Sequence, residues 1–167
     1  DRAMEEARGQ FGERIAALRP NVVIDLTCYT LDSAVQLSNA LAGRVDHLIH
    51  CGTIWVHGPS VEVPTTEDAP RRPFGDYGSG WSPISPAGNF NPRVFGDLSH
   101  ERPVRLPNFG LETLHHVHAD DVAQAFERAV ERPGAAIGES FHVVSPAALT
   151  FRGYAEGLAA WYGVEAH

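Results

Sequence analysis

A strand–helix–strand pattern constrains the fold more than any other feature of the sequence. The β-branched run at 21–27, NVVIDLT, is typical of a strand buried on both faces. Residues 31–42 have the spacing of an amphipathic helix, with Asp32 or Ser33 as its cap, and residues 45–51 form a second strand. This order predicts a parallel strand pair with a right-handed crossover. The active site of such a sheet lies beyond the carboxyl ends of its strands.

Further elements are predicted on both sides of this unit from apolar spacing and from Pro and Gly breaks. They are helices over 3–18, 91–98, 120–132 and 151–162 and a strand over 139–144. Between residues 58 and 107 Pro and Gly are frequent and apolar repeats are few, so this segment is predicted to form long loops.

Composition excludes some functions. The 167 residues suit one domain and carry a net charge of −8 without any Lys, which argues against a nucleic-acid or anionic-membrane surface. Cys28 and Cys51 each lie inside an apolar run that is typical of a buried strand, and they are predicted to be inert core thiols, with a disulfide or a reactive thiol as the alternative. No apolar run approaches the length of a membrane span, and we expect a cytoplasmic location.

Three segments, in order and at consistent spacing, point to a family. They are HCGTIWVHG at 50–58, PTTEDAP at 64–70 followed by PFGDYG at 73–78, and HVHADDVA at 116–123. Together they resemble the extended short-chain dehydrogenases/reductases of the NAD-dependent epimerase/dehydratase family, and the resemblance covers most of the chain. It implies an α/β fold: a Rossmann-like, doubly wound parallel sheet in three αβα layers, with an irregular C-terminal substrate-binding portion.

The resemblance implies catalytic roles for two side chains. Thr53 matches the hydroxyl residue that hydrogen-bonds the reacting oxygen, and Tyr77 matches the general acid/base. A tyrosine has an ordinary pKa of about 10, so it needs a neighbouring positive charge to work near neutral pH. In the family, a Lys four residues after the Tyr provides that charge, whereas this chain has Trp81.

Cofactor binding is also implied by the resemblance, with NAD or NADP as the cofactor. Asp1-Arg2 resembles the turn after the third strand of the family, where the Asp meets the adenine. Thr27, Cys28 and Tyr29 follow a strand at the place where the family runs along the cofactor.

Substrate contacts are predicted in two places. The segment at 85–92 resembles the family's N-x-x-P segment, in which Asn89, followed by Phe90, would contact a substrate diphosphate. A turn with a helix cap explains the same residues. Trp55 is a candidate for the wall of a substrate pocket, and packing in the core is the alternative.

The chain departs from the family in three further ways. No Gly-rich turn for a pyrophosphate occurs, and a helix and a strand are missing after Tyr77, with the junction near Gly78–Gly80. Leu114 stands where nucleotide-sugar enzymes carry an Arg. We therefore expect an incomplete copy whose natural N-terminus lies upstream of Asp1.

A group of histidines and aspartates raises the question of a metal. The residues are His115, His116, His118, Asp120 and Asp121. Alternation along a strand would place two of the histidines on one face, but a strand–helix junction with an Asp cap explains the same sequence. No metal site is expected.

The predicted function is an NAD(P)-dependent oxidoreductase, epimerase or dehydratase of a sugar-like or other small carbonyl or alcohol substrate. Residues 1–78 would form a partial cofactor-binding core and residues 79–167 the substrate-binding portion. The alternatives are a non-catalytic remnant or small-molecule binding module of the same fold, and a reductase of a phenolic or lactone substrate. No nucleic-acid or membrane partner is expected. The family resemblance also implies that the chain could form a homodimer, because family members often dimerise.

Overall fold

The computed structural model describes residues 1–57, 62–71, 92–115 and 117–165. These residues form a mixed α/β fold. The helices are α1 (Arg2–Ala7), α2 (Phe11–Ala17), α3 (Leu31–Leu41), α4 (Pro92–Ser99), α5 (Ala119–Glu131), α6 (Pro133–Ala136) and α7 (Phe151–Tyr162). The strands are β1 (Val22–Asp25), β2 (His47–His50), β3 (Thr113–Leu114) and β4 (Leu149–Thr150). Short 3-10 helices span Ile54–His57 and Pro107–Gly110.

The chain divides into two compact units. The first comprises Asp1–Phe74 and Val122–His142, and the second comprises Gly75–Asp121 and Val143–His167. The predicted boundary at residue 78 lies outside the described residues and stays a prediction.

The predicted strand–helix–strand unit is confirmed in the first unit. Strands β1 and β2 pair in parallel, from Val22 opposite His47 to Asp25 opposite His50. The core between α2 and α3 contains Ala16, Leu37 and Leu41. The sheet has two strands among the described residues, so the three-layer doubly wound arrangement stays a prediction.

The predicted first helix is wrong in its extent, because the structure divides it into α1 and α2. Gly9 has a φ of 65°, a left-handed conformation that glycine adopts without a Cβ clash. The backbone N–H of Gln10 donates to Glu5 O at 2.8 Å and that of Gly9 donates to Glu6 O at 2.9 Å. These two bonds satisfy the last carbonyls of α1 and end the helix.

The cap of α3 also differs from the prediction. Thr30, and not Asp32 or Ser33, precedes the helix in an extended conformation, and its Oγ1 accepts from the backbone N–H of Ser33 at 3.1 Å. The hydroxyl therefore satisfies a backbone donor that has no partner inside the helix.

The second unit is built around α4 and α7. Its core contains Val94, Leu98, Tyr154, Ala155, Leu158 and Ala159. Thr150 caps α7 by accepting from the backbone N–H of Gly153, and Gly163 ends it with a φ of 69°. The predicted helix over 151–162 is confirmed at both ends, and β3 pairs with β4 in antiparallel fashion just before it.

The predicted strand over 139–144 is wrong. This segment has no strand partner in the part of the chain that the structure describes. The backbone N–H of His142 donates instead to the carboxylate of Glu67 at 2.7 Å. The backbone N–H of His142 therefore donates to the Glu67 side chain and not to a backbone carbonyl of a neighbouring strand.

The predicted burial of the cysteines is also wrong. Cys28 and Cys51 are free thiols and are only partly buried. Cys28 lies three residues beyond the end of β1 and Cys51 directly follows β2, so neither side chain is enclosed by the sheet.

Among the described helices, none has both the length and the apolar character that crossing a membrane requires.

Candidate functional site

The carboxyl ends of β1 and β2 lie side by side. Asp25 and His50 are the last residues of the two strands and are paired in the sheet register. The backbone N–H of Cys51 continues the ladder by donating to Asp25 O at 2.9 Å. The loops after both strands therefore begin at the same edge, which is where ligands of parallel sheets bind.

Asp25 is the buried anion of this edge. Arg2 Nη1 donates to Asp25 Oδ1 at 2.6 Å and Nη2 donates to Oδ2 at 3.0 Å. The backbone N–H of Thr27 donates to Oδ1 at 3.2 Å. The hydrogen bonds from Arg2 are the main cause that holds the pKa of Asp25 below its ordinary value, so the carboxylate is ionised near neutral pH.

Arg2 is held on both sides. Its Nε donates to Glu6 Oε1 at 2.6 Å, and its Nη1 also donates to the hydroxyl of Thr27 at 3.0 Å. The bond to Asp25 is the main cause that raises the pKa of Arg2. The predicted cofactor residues Arg2 and Thr27 are thus brought into contact with one another.

A depression of about 280 Å³ lies beside this contact. Its polar wall is formed by Arg2, Asp25 and Thr27, and its apolar wall contains Phe11, Ile15, Val23, Ile24, Leu26 and Leu37. The guanidinium of Arg2 lies 4.7 Å from the centre of the Phe11 ring. The depression combines apolar surface with a few fixed polar groups, a combination that small-molecule sites share, although its volume is slightly below their usual range of about 300–1,000 Å³.

The other predicted site residues are placed as follows. Asp1 caps α1 through its side chain, which accepts from the backbone N–H of Ala3 at 3.0 Å. Tyr29 is 87% exposed, and Thr53 is exposed directly before the 3-10 helix that contains Trp55. The predicted residues Tyr77, Asn89 and Phe90 lie outside the described residues.

Sequence reasoning missed a pair of histidines in the first unit. His57 is buried, and its Nε2 lies 3.1 Å from Nε2 of His142, which is 85 residues further along the chain. The Nδ1 of His57 lies 3.1 Å from Ala69 O. A carbonyl can only accept, so Nδ1 carries the proton, and in neutral His57 the Nε2 accepts from His142. Neither spacing nor periodicity signals a pair this distant.

The predicted histidine group in the second unit is dispersed. His115 Nε2 lies 2.6 Å from Ser145 O, and His118 Nδ1 lies 3.2 Å from the backbone N of Asp120. His116 lies outside the described residues. Among the described members, His118 and Asp120 therefore contact each other at the entry to α5, whereas His115 contacts a backbone carbonyl elsewhere.

The second unit contains a cavity of about 750 Å³. Leu98, Val104, Leu106 and Ala155 contribute apolar surface to it. Two arginines of its lining have acidic partners, since Arg102 pairs with Asp97 at 2.9 Å and Arg152 pairs with Glu156 at 2.7 Å. Its volume falls in the range of small-molecule pockets.

Comparison with known proteins gives a short match. Over 64 residues the chain is 36% identical to the 2'-dehydrokanamycin reductase of Streptomyces kanamyceticus. The match covers 38% of this chain and 18% of that relative. No family profile matches the chain, and no solved structure is significantly similar to it.

Proposed function

We propose that this protein is an oxidoreductase of the short-chain dehydrogenase kind that uses NAD or NADP. The observation that carries the proposal is the depression at the carboxyl end of β1, because two residues predicted to bind the cofactor, Arg2 and Thr27, line it. The partial likeness to a protein named as a reductase supports the same class of chemistry. The parallel β1–β2 pair is compatible with a Rossmann-like sheet.

The chain's residues fit the ring portion of a dinucleotide better than its pyrophosphate. The apolar wall of the depression suits a flat ring, and Arg2 and Thr27 supply fixed polar groups at its edge. The sequence contains no Gly-rich turn for the pyrophosphate. When bound, the nicotinamide would supply or accept the hydride.

The catalytic roles remain those that the family resemblance implies. The hydroxyl of Thr53 would hold the reacting oxygen, and the phenol of Tyr77 would donate a proton to that oxygen during reduction. The substrate class we propose is a small or sugar-like carbonyl compound. The cavity of the second unit supports binding of a small molecule by its size and by a lining that combines apolar and charged residues.

A non-catalytic binding module of the same fold is the second candidate. It is favoured by Trp81, which stands where the family carries the Lys that lowers the pKa of the catalytic Tyr. A phenol without that neighbour keeps its proton near neutral pH and works poorly as an acid/base catalyst.

The test is oxidation of NADH or NADPH with a panel of ketones that begins with 2'-dehydrokanamycin, the compound in the relative's name. We expect turnover by the wild-type protein and a loss of kcat/KM of about 10²- to 10⁴-fold in Tyr77→Phe, as for removal of a general acid. Tyr162→Phe, which alters a tyrosine of α7, is the matched control and should retain activity.

Fluorescence of the reduced dinucleotide separates the two candidates. Enhanced fluorescence on mixing without turnover of any ketone would favour the binding module. The absence of both fluorescence enhancement and turnover would refute the proposal that this chain binds a dinucleotide.

A further inference from the structure

Three side chains with different metal-binding atoms meet at the carboxyl edge of the sheet. A carboxylate oxygen of Asp25, the Sγ of Cys28 and a ring nitrogen of His50 all lie within 4.8 Å of one another. Zn²⁺ binds this combination of oxygen, sulfur and nitrogen ligands in tetrahedral geometry. At zinc's preferred bond lengths, these ligand atoms would lie about 3.3–3.6 Å apart, so a side-chain movement of about 1 Å would complete the set.

The backbone explains why these side chains converge. Asp25 and His50 are register partners at the ends of paired strands. Residues paired in a sheet project their side chains to the same face. Cys28 follows Asp25 after a two-residue loop whose Thr27 N–H is bonded to the Asp25 carboxylate. Two of the three groups are therefore placed by the sheet itself.

Asp25 retains the capacity to bind a cation beside Arg2. An ionised carboxylate has about four acceptor positions, two on each oxygen. Arg2 and Thr27 occupy both positions on Oδ1, and Arg2 occupies one on Oδ2, which leaves one position on Oδ2. The bonds from Arg2 and Thr27 also fix the orientation of the carboxylate, as outer-shell partners of metal ligands do.

The local charge is suitable for a divalent cation. The single positive charge of Arg2 pairs with the carboxylates of Glu6 and Asp25. These three side chains together therefore carry one net negative charge while the Cys28 thiol is protonated. Deprotonation of Cys28 adds a second net negative charge, which a Zn²⁺ ion would neutralise.

We propose that Asp25, Cys28 and His50 form a zinc site, with water as the fourth ligand. On binding, the Cys28 thiol loses its proton to solvent and the thiolate bonds to the metal, without oxidation or reduction. The sequence predicted no metal site because the register, and not the sequence spacing, brings His50 beside Asp25. The proposal goes beyond the proposed function because it assigns a metal ion to Cys28, one of the predicted cofactor residues. The ion would lie at the same edge of the sheet where the cofactor is expected to lie.

The test is calorimetric titration of the reduced full chain with Zn²⁺ in the absence of dinucleotide. We expect one ion per chain. Replacement with Co²⁺ should give a near-ultraviolet thiolate-to-metal absorption band. Cys28→Ser should lose this band and weaken Zn²⁺ binding by at least about tenfold, because loss of an outer-shell partner alone costs about 10- to 100-fold.

Cys51→Ser is the matched control. It removes a free, partly buried thiol of the same edge that is not among the three ligands, so affinity and the absorption band should be unchanged. Circular dichroism of both variants checks that each is folded. The proposal is overturned if the wild type binds no Zn²⁺, if Cys28→Ser binds as tightly as the wild type, or if Cys51→Ser loses the band. Because no dinucleotide is present, none of these results depends on the oxidoreductase proposal.

Discussion

Gly12 allows α2 to approach α3 closely, and its replacement by alanine should destabilise the first unit. A Cβ at residue 12 would lie 2.4 Å from the Cβ of Ala40 and 3.3 Å from the backbone oxygen of Gln36. Carbon atoms in contact prefer about 3.5–4.0 Å, so the helices must separate by roughly 1 Å. The displaced helix carries Leu37 and Leu41, the centre of this core.

Two opposing effects decide the magnitude for Gly12→Ala. Overpacking of this kind costs about 1–3 kcal/mol. Alanine is better than glycine in a helix by about 0.5–1 kcal/mol. At the middle of both ranges the clash outweighs the propensity gain, so we expect a net loss of about 1 kcal/mol, and at most about 2.5 kcal/mol, in the free energy of unfolding. Urea denaturation followed by circular dichroism measures this loss, and hydrogen exchange of α3 localises it.

Gly134→Ala is the matched control. Gly134 is also the second residue of a helix in the first unit, and a Cβ there would meet no atom within 4 Å. This variant should be neutral or more stable by up to about 0.5–1 kcal/mol, since only the propensity changes. If Gly12→Ala were as stable as Gly134→Ala, the close packing of α2 on α3 would be refuted.

Two further predictions concern buried polar contacts. Arg2→Gln should reduce stability by about 3 kcal/mol near pH 7, because it leaves the buried Asp25 carboxylate without its charged partner. The pKa of Asp25 is lowered in the folded state, so the stabilisation is complete above the unfolded pKa of about 3.9 and is lost as the pH falls. The two proteins should therefore converge in urea midpoint at acid pH, and a constant difference would contradict this account. His142→Ala should cost about 1–3 kcal/mol in thermal unfolding by leaving Nε2 of the buried His57 without a partner, whereas His142→Gln, which retains a donor, should cost less.

Local sequence patterns predicted the elements whose causes are local. The α7 bounds follow from Thr150, which caps the first turn, and from Gly163, which adopts the left-handed conformation after the last turn. The parallel pairing of β1 with β2 follows from the strand–helix–strand order, because a parallel pair needs a crossover. The break at Gly9 follows from the same rule of helix ends, whereas apolar spacing alone predicts one helix over 3–18.

The strand predicted over 139–144 shows where local pattern fails. Alternating apolar residues favour a strand, but a strand exists only when another strand receives its hydrogen bonds. In the fold, Glu67 receives the bond from His142 instead. The partner lies 75 residues away, and nothing within the segment indicates it.

By itself, the sequence determined the order β1, α3 and β2, the ends of α7 and the edge of the sheet at which a site should lie. Only the tertiary structure placed Arg2 on Asp25, His57 against His142, and Cys28 beside His50. The physical reason is that helix periodicity and capping depend on residues within about four positions. Strand register and side-chain pairing instead join groups between 22 and 85 residues apart in the sequence. These pairs form only when the whole unit packs.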